Sequence, residues 1–166
     1  SYIKKIASQN LSHNSDTTIR SLYDDAYSYL REHYQNEYFY KNLIVNKILI
    51  GRHSLNTATM LPEFRVDTNK ADCVILNGKS TCYEIKTNYD SLVRLEDQLS
   101  SYLQLFDEVY VVCSAKYQQA VLELAPVEVG ILILTEKQTF SQFRKATSRK
   151  APLNKKLLMQ SLRQHE

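Results

Sequence analysis

The stretch A-D-C-V-I-L-N-G-K-S-T-C-Y-E-I-K-T, from Ala71 to Thr87, places three charged side chains inside two strand-like runs joined by an Asn77-Gly78 turn signal. Side chains of an extended strand alternate, so Glu84 and Lys86 share one face while Tyr83, Ile85 and Thr87 take the other. On an edge strand such a pair would be a self-neutralising solvated face. Here Val74, Ile75 and Leu76 lie opposite Tyr83 and Ile85, which reads as an internal hairpin. Charge is costly in that setting unless it is paired or bound to a metal.

The chemistry gives each residue a reason. Asp72 and Glu84, on adjacent strands, suit a hard divalent cation such as Mg2+ or Mn2+, which takes oxygen ligands and keeps waters for substrate and nucleophile. Lys86 is placed to orient the attacking water or to neutralise charge that builds up on a phosphorane-like transition state. The register sets a condition. A two-residue Asn77-Gly78 hairpin would pair Asp72 with Tyr83 and turn the two acids to opposite faces. The shared centre therefore requires an odd-length connection or a bulge.

Towards the N-terminus, Thr57 to Val66 reads as the first strand of an antiparallel meander that continues through Ala71–Leu76 and Ser80–Thr87. Glu63, on that first strand, is the preferred third carboxylate, in competition with an ordinary ion pair to Arg65. Asp67, in the following turn, and Glu37 are the alternatives. Two helices precede the meander. Ile19, Leu22, Tyr23, Ala26, Leu30 and Tyr34 form an amphipathic stripe capped by Ser15 or Asp16, and the segment from Glu37 to Ile50 stops at Gly51. Leu22, Leu30, Leu43 and Ile48 are expected to pack on the sheet.

Beyond the meander, Ser91 to Leu105 has helical spacing with Asp90 or Ser91 as N-cap, Glu108 to Cys113 reads as a buried strand, and Lys116 to Leu124 as a short helix. Gly130 to Leu134 is an interior strand, and the segment from Gln138 is expected to be helical in part. The order implies an α/β sandwich with a mixed central sheet in a single domain: a helical part (1–56), a core (57–135) and a basic extension (136–166).

A chain of 166 residues with 43% apolar and 23% charged side chains can bury one substantial core. No apolar run reaches the length needed to cross a bilayer, and no signal-peptide pattern opens the sequence, so a cytoplasmic protein with no membrane partner is expected. Cys73, Cys82 and Cys113 lack C-x-x-C spacing and read as reduced, buried thiols. The C-terminal segment gathers basic residues, among them Lys145, Arg149, Lys150, Lys155 and Lys156, against the single acid Glu166. Such a run can follow a phosphate backbone or simply be solvated.

Asp72, Glu84-Ile85-Lys86 and Gln98-Leu99-Ser100-Ser101-Tyr102 together resemble the D...E-x-K...Q-x-x-x-Y series of the PD-(D/E)XK nuclease superfamily, particularly its RecB-type branch. The run E-I-K-T-N-Y-D-S-L-V-R-L-E-D-Q is similar to small stand-alone bacterial and phage members. Ala71 stands where the superfamily's name has proline. The resemblance spans roughly Glu63 to Leu134 and implies a restriction-endonuclease-like fold. It further implies Asp72 and Glu84 as metal ligands, Ile85 lending its backbone carbonyl, and Lys86 as catalytic lysine. Gln98 and Tyr102, one helical turn apart, would brace the centre or contact DNA, and Arg94 on the same helix face would bind a phosphate. The expected activity is divalent-metal-dependent hydrolysis of DNA. The competing expectations are a nucleic-acid-binding or regulatory module of the same fold, phage- or defence-associated with weak or partner-dependent catalysis, and a protein-binding adaptor. The resemblance also permits pairing of two copies to cut two strands.

Overall fold

The computed structural model describes residues 18–51, 56–148 and 154–162, excluding the side chains of Arg31 and His33. The chain divides after Gln35 into two compact units. In the first, helix α1 spans Ile19–His33, and Thr18 Oγ1 caps it by accepting from Ser21 N at 3.1 Å. The expected caps Ser15 and Asp16 lie outside the described residues. Leu30 is exposed rather than packed, as are Ile19 and Tyr23. The stripe is rich in tyrosine, whose hydroxyl end tolerates water.

The second unit opens with α2, Glu37–Ile44, where Asn36 Oδ1 accepts from Phe39 N at 3.1 Å. Its continuation, Val45–Ile50, winds as a π-helix. The wider turn lets Ile44, Ile48 and Leu49 all reach the interior. Gly51 keeps right-handed helical angles instead of the left-handed ones of a glycine stop.

Six strands follow: β1 (Thr59–Val66), β2 (Asn69–Leu76), β3 (Ser80–Lys86), β4 (Glu108–Ser114), β5 (Gly130–Leu134) and β6 (Phe140–Arg144). They lie in chain order in one sheet. β1, β2 and β3 pair antiparallel, β3, β4 and β5 parallel, and β6 antiparallel to β5. Helix α3 (Leu95–Leu103) connects β3 to β4, and a short 3-10 turn leads into α4 (Gln118–Leu124) before β5. Helix α5 is Lys155–Ser161. This is an α/β architecture around a mixed sheet, as the order of sequence patterns implies.

The segment from Gln138 is helical in part, as expected, through α5, but it begins as the strand β6. Thr135 and Thr139 close a turn through Thr135 N to Thr139 O at 2.9 Å, and Gln138 takes φ 55° within it. Arg144 then anchors β6, donating to the carbonyl oxygens of Val129, Ala125 and Pro126 at 2.7–3.1 Å. Helix N-caps also shift. Ser91 and Leu92 precede α3, whose cap position is Arg94.

Two apolar clusters cover the sheet's faces. One gathers Val74, Cys82, Val109, Val111 and Ile131 with Leu95, Leu99 and Tyr102 of α3 and Val121 of α4. The other gathers Cys73, Ile75, Tyr83, Ile85, Tyr110, Val112 and Leu132 with Phe39, Tyr40, Ile44 and Ile48. Alternation along β3 and β4 produces this division. Ile48 is buried and Leu43 half-buried there, as expected. Tyr83 and Tyr110 stack at 5.7 Å, and a Cβ on Gly130 would meet the Tyr110 ring at 2.2 Å, so only glycine fits beneath it.

Beside the register shift between β5 and β6 at Ile131/Leu132, the pleat breaks in β1 and β2 together. Leu61 and Val74 face the first cluster and Met60, Cys73 and Ile75 the second, yet beyond the break Phe64, Val66 and Ala71 also join the first. The break falls at Glu63, with φ 55°, and at Asp72, the two positions skipped in the β1–β2 pairing.

Candidate functional site

The β2–β3 connection is the three residues 77–79, with Asn77 N donating to Lys79 O at 3.0 Å and Gly78 at φ 79°. Leu76 pairs with Ser80 and Cys73 with Tyr83. One step further, the same register sets Asp72 opposite Glu84, as a shared centre requires. There the ladder gives way to a side chain: Asp72 Oδ2 accepts from Ile85 N at 2.7 Å.

Alternation puts Glu84 and Lys86 on the α3 side of β3, in line with Cys82. Both are buried, Glu84 at 1% and Lys86 at 7% exposure. Lys86 Nζ donates to Glu84 Oε1 at 2.8 Å and to Gln98 Oε1 at 2.9 Å, and Tyr102 OH donates to Glu84 Oε2 at 3.1 Å. Gln98 and Tyr102 fall on one face of α3 because they are four residues apart. The quartet is therefore a closed network of charge and hydrogen bonds in a low-dielectric setting, where each bond counts for more than in water.

Glu84, Lys86 and Gln98 of the network form one wall of a cleft of about 290 Å³, which Glu37, Asp72, Ile85, Asp90, Arg94, the turn residue Thr68 and the first residues of β2, Asn69 and Lys70, also line. Burial, then the negative charge of Glu84, push the Asp72 carboxyl up to about 7, against the lowering pull of the Ile85 amide. Burial also raises Glu84, opposed by Lys86, Tyr102 and Gln98. Two acids that resist ionising together across a cleft favour an added cation.

Glu63 stands apart. It is an exposed residue whose carboxylate pairs with Lys70 at 2.8 Å and Lys41 at 3.5 Å, instead of Arg65, and Lys70 foremost pulls its pKa down. Glu37, on α2, reaches the cleft with Asp72 and Glu84, as does Asp90, which is held by Thr87, and Lys41 pairs with Glu37 at 2.5 Å. Among the described residues no three His, Cys, Asp or Glu side chains draw together closely enough to cage a metal ion unaided. The donor set suits a hard dication that completes its shell with water and phosphate oxygens.

Arg94 lines the cleft, whereas Lys145 lines a separate depression on the opposite sheet face, beside Tyr83 and Tyr110. Arg149 and Lys150 lie outside the described residues. Sequence reasoning missed Asn69, which is buried and donates to Asp97 Oδ2 at 2.8 Å and Ser101 Oγ at 3.1 Å, fixing the β1–β2 turn to α3. It also misread Asp90, which does not cap α3 but accepts from Thr87 N and Thr87 Oγ1, both at 2.7 Å. The T-x-x-D spacing of Thr87 and Asp90 is the available signal for such a turn. No helix among the described residues is long and apolar enough to cross a membrane.

Comparison with known proteins gives the following. Protein cII of Enterobacteria phage P4 is 32% identical over 98 residues, which cover 58% of this chain and 37% of that protein, so the chain matches well under half of that relative's length. A solved protein of unknown function from Silicibacter pomeroyi is 23% identical with a TM-score of 0.47, covering 66% of this chain and 75% of that one. SfsA of Pyrococcus furiosus, solved in complex with Ca2+, is 15% identical with a TM-score of 0.35, covering 64% and 61%. Residues 30–166 match the family described as bacteriophage P4 protein cII, and the chain belongs to that family.

Proposed function

We propose that the chain is a divalent-metal-dependent nuclease of the PD-(D/E)XK type, hydrolysing phosphodiester bonds of DNA. The observation that carries this reading is Lys86 Nζ, held by Glu84 and Gln98 at the wall of a cleft that Asp72 enters from the neighbouring strand. A structural ion pair alone would have no need of a second, desolvated carboxyl beside it. Asp72, Glu84 and the Ile85 carbonyl would hold Mg2+ or Mn2+, with Glu37 in Glu63's expected place as the third acid. Bound there, the ion supplies Lewis acidity to the phosphoryl oxygens and acidity to a coordinated water.

The protein's own groups do the rest. Lys86 has three donors, and two are committed to Glu84 and Gln98, leaving one for a water or a phosphate oxygen. That placement suits a group that orients the nucleophile or offsets charge building on the transferred phosphate. Tyr102 and Gln98 fix Glu84 and Lys86 in one rotamer each, so little reorganisation is required. Arg94 and Lys70, at the cleft, suit the flanking phosphates. Release of a proton from Asp72 accompanies cation binding near neutral pH.

A second reading, a nucleic-acid-binding module whose cleavage is weak or partner-dependent, draws support from Lys41, which occupies Glu37 with an ion pair. One experiment separates them: linear, circular, nicked and single-stranded DNA are incubated with Mg2+ or Mn2+, beside an Asp72→Ala control. Metal-dependent cutting that the control lacks is the expected result. Binding without cutting under every condition supports the second reading.

A further inference from the structure

Two tight turns carry the chain from β3 into α3, and each presents an apolar side chain at its tip. Asp90 N donates to Thr87 O at 3.2 Å, making Asn88 and Tyr89 the central residues of the first, and Leu95 N donates to Leu92 O at 2.9 Å, making Val93 and Arg94 those of the second. Tyr89 is 61% exposed and Val93 90%. Turn tips ordinarily carry Gly, Asn, Asp or Ser. A large ring and a β-branched side chain at these positions contribute little to the core.

The first turn is firmly held. Asp90 Oδ2 accepts from Thr87 N and Oγ1, Tyr117 OH donates to Asp90 O at 2.7 Å, and Ser114 Oγ donates to Asn88 Oδ1 at 2.6 Å. Leu92, between the two tips, is partly buried against the first cluster. The residues that follow the tips, Asp90 and Arg94, both line the cleft, so Tyr89 and Val93 each stand one residue before a cleft wall position. A surface ordered before binding loses little entropy on binding.

We propose that Tyr89, supported by Val93, is a stacking platform for an unpaired base, with Arg94 meeting the adjacent phosphate, so that the cleft takes single-stranded or locally unpaired DNA. This rests on the nucleic-acid reading of the cleft. Bases in a duplex are already covered on both faces by their neighbours, whereas a single strand offers an open π-face to an aromatic ring. Arg94 supplies the charge that holds the backbone in register.

The test is fluorescence anisotropy with labelled oligodeoxynucleotides in EDTA, which prevents cutting, using a single strand, a hairpin duplex and an abasic strand of equal phosphate count. Tyr89→Ala is expected to weaken single-strand binding about tenfold, the scale of one base–aromatic stack. Tyr89→Phe keeps the affinity, and on the abasic strand wild type and Tyr89→Ala bind alike. Circular dichroism melts of the variants verify that the fold is kept. Equal single-strand affinity of wild type and Tyr89→Ala overturns the platform and leaves the nuclease reading standing, as does an equal loss on duplex and abasic strands. If wild type binds no oligonucleotide in EDTA, the platform falls, while the nuclease reading is still decided by metal-dependent cutting in the separate assay.

Discussion

Replacing Asp72 with asparagine keeps the shape of the site while removing one charge, since the new Oδ1 can still accept from Ile85 N. The ordinary carboxyl value of 3.8 rises to about 7 in the fold, chiefly through burial. A raised acid pKa means the folded state binds the proton more tightly than the unfolded chain does. Stability from this group is therefore fullest in acid and is lost as the pH climbs from about 4 through about 7. The span corresponds to about 4 kcal/mol at full ionisation, an upper figure for a group facing a cleft. Asp72→Asn should thus be nearly neutral at pH 4 and more stable than wild type by roughly 2–4 kcal/mol at pH 8.5. Urea unfolding followed by circular dichroism across that range measures it. Adding Mg2+ should raise wild-type stability at high pH and leave Asp72→Asn little changed, because only a group that binds the folded state shifts the equilibrium. A difference between the two proteins that does not vary with pH would refute the reasoning.

Lys86→Ala should cut DNA on the order of 100-fold more slowly than wild type, the usual cost of one positioned electrostatic group. It should also destabilise the fold by about 3 kcal/mol by leaving Glu84 buried and unpaired, a loss that Lys86→Met combined with Glu84→Gln largely recovers in thermal melts. Tyr102→Phe, which removes a bond to a buried carboxylate, should cost about 1.5–3 kcal/mol and slow cleavage without changing the substrate range. Gly130→Ala should destabilise by about 1–3 kcal/mol through collision with Tyr110, and Tyr110→Ala in the same chain should relieve part of it. Removing the chain after Ala146 should flatten the salt dependence of DNA binding; an unchanged slope would assign Lys150, Lys155 and Lys156 to solvation.

The strand positions and the shared face of Glu84 and Lys86 were legible from the period of two in a strand, and the shared face of Gln98 and Tyr102 from the helical repeat. That the second pair meets the first came only from the resemblance to the D...E-x-K...Q-x-x-x-Y series, since no local period encodes a helix-to-strand contact. The odd-length connection was legible too, since only one parity of register brings Asp72 round to Glu84. Glu63 was not. Its place on a strand suggested an inward face, and nothing local announces that a non-glycine residue adopts φ 55° and turns the pleat over. Glu37 reaches the cleft from α2, far off in sequence, and no spacing rule encodes such an approach. The strand Phe140–Arg144 was not legible for a related reason: what fixes it is Arg144, committed to three carbonyls in the preceding loop, a contact no local pattern announces. Asp90 fitted the composition of a helix cap equally well as that of a turn.

The break at Pro62-Glu63 also governs how the molecule meets its own kind. β1 is an outer strand of the sheet, and an unbroken outer strand is a template for intermolecular pairing that ends in fibrils. Pro62 brings no amide hydrogen to that margin, and the left-handed backbone at Glu63 interrupts the repeat any incoming chain would need to copy. With Glu63 clasped by Lys41 and Lys70, the margin also carries fixed charge. The irregularity that lets Asp72 leave its ladder thus doubles as a guard against self-assembly, and a sheet smoothed at this point for thermal robustness would trade solubility for it.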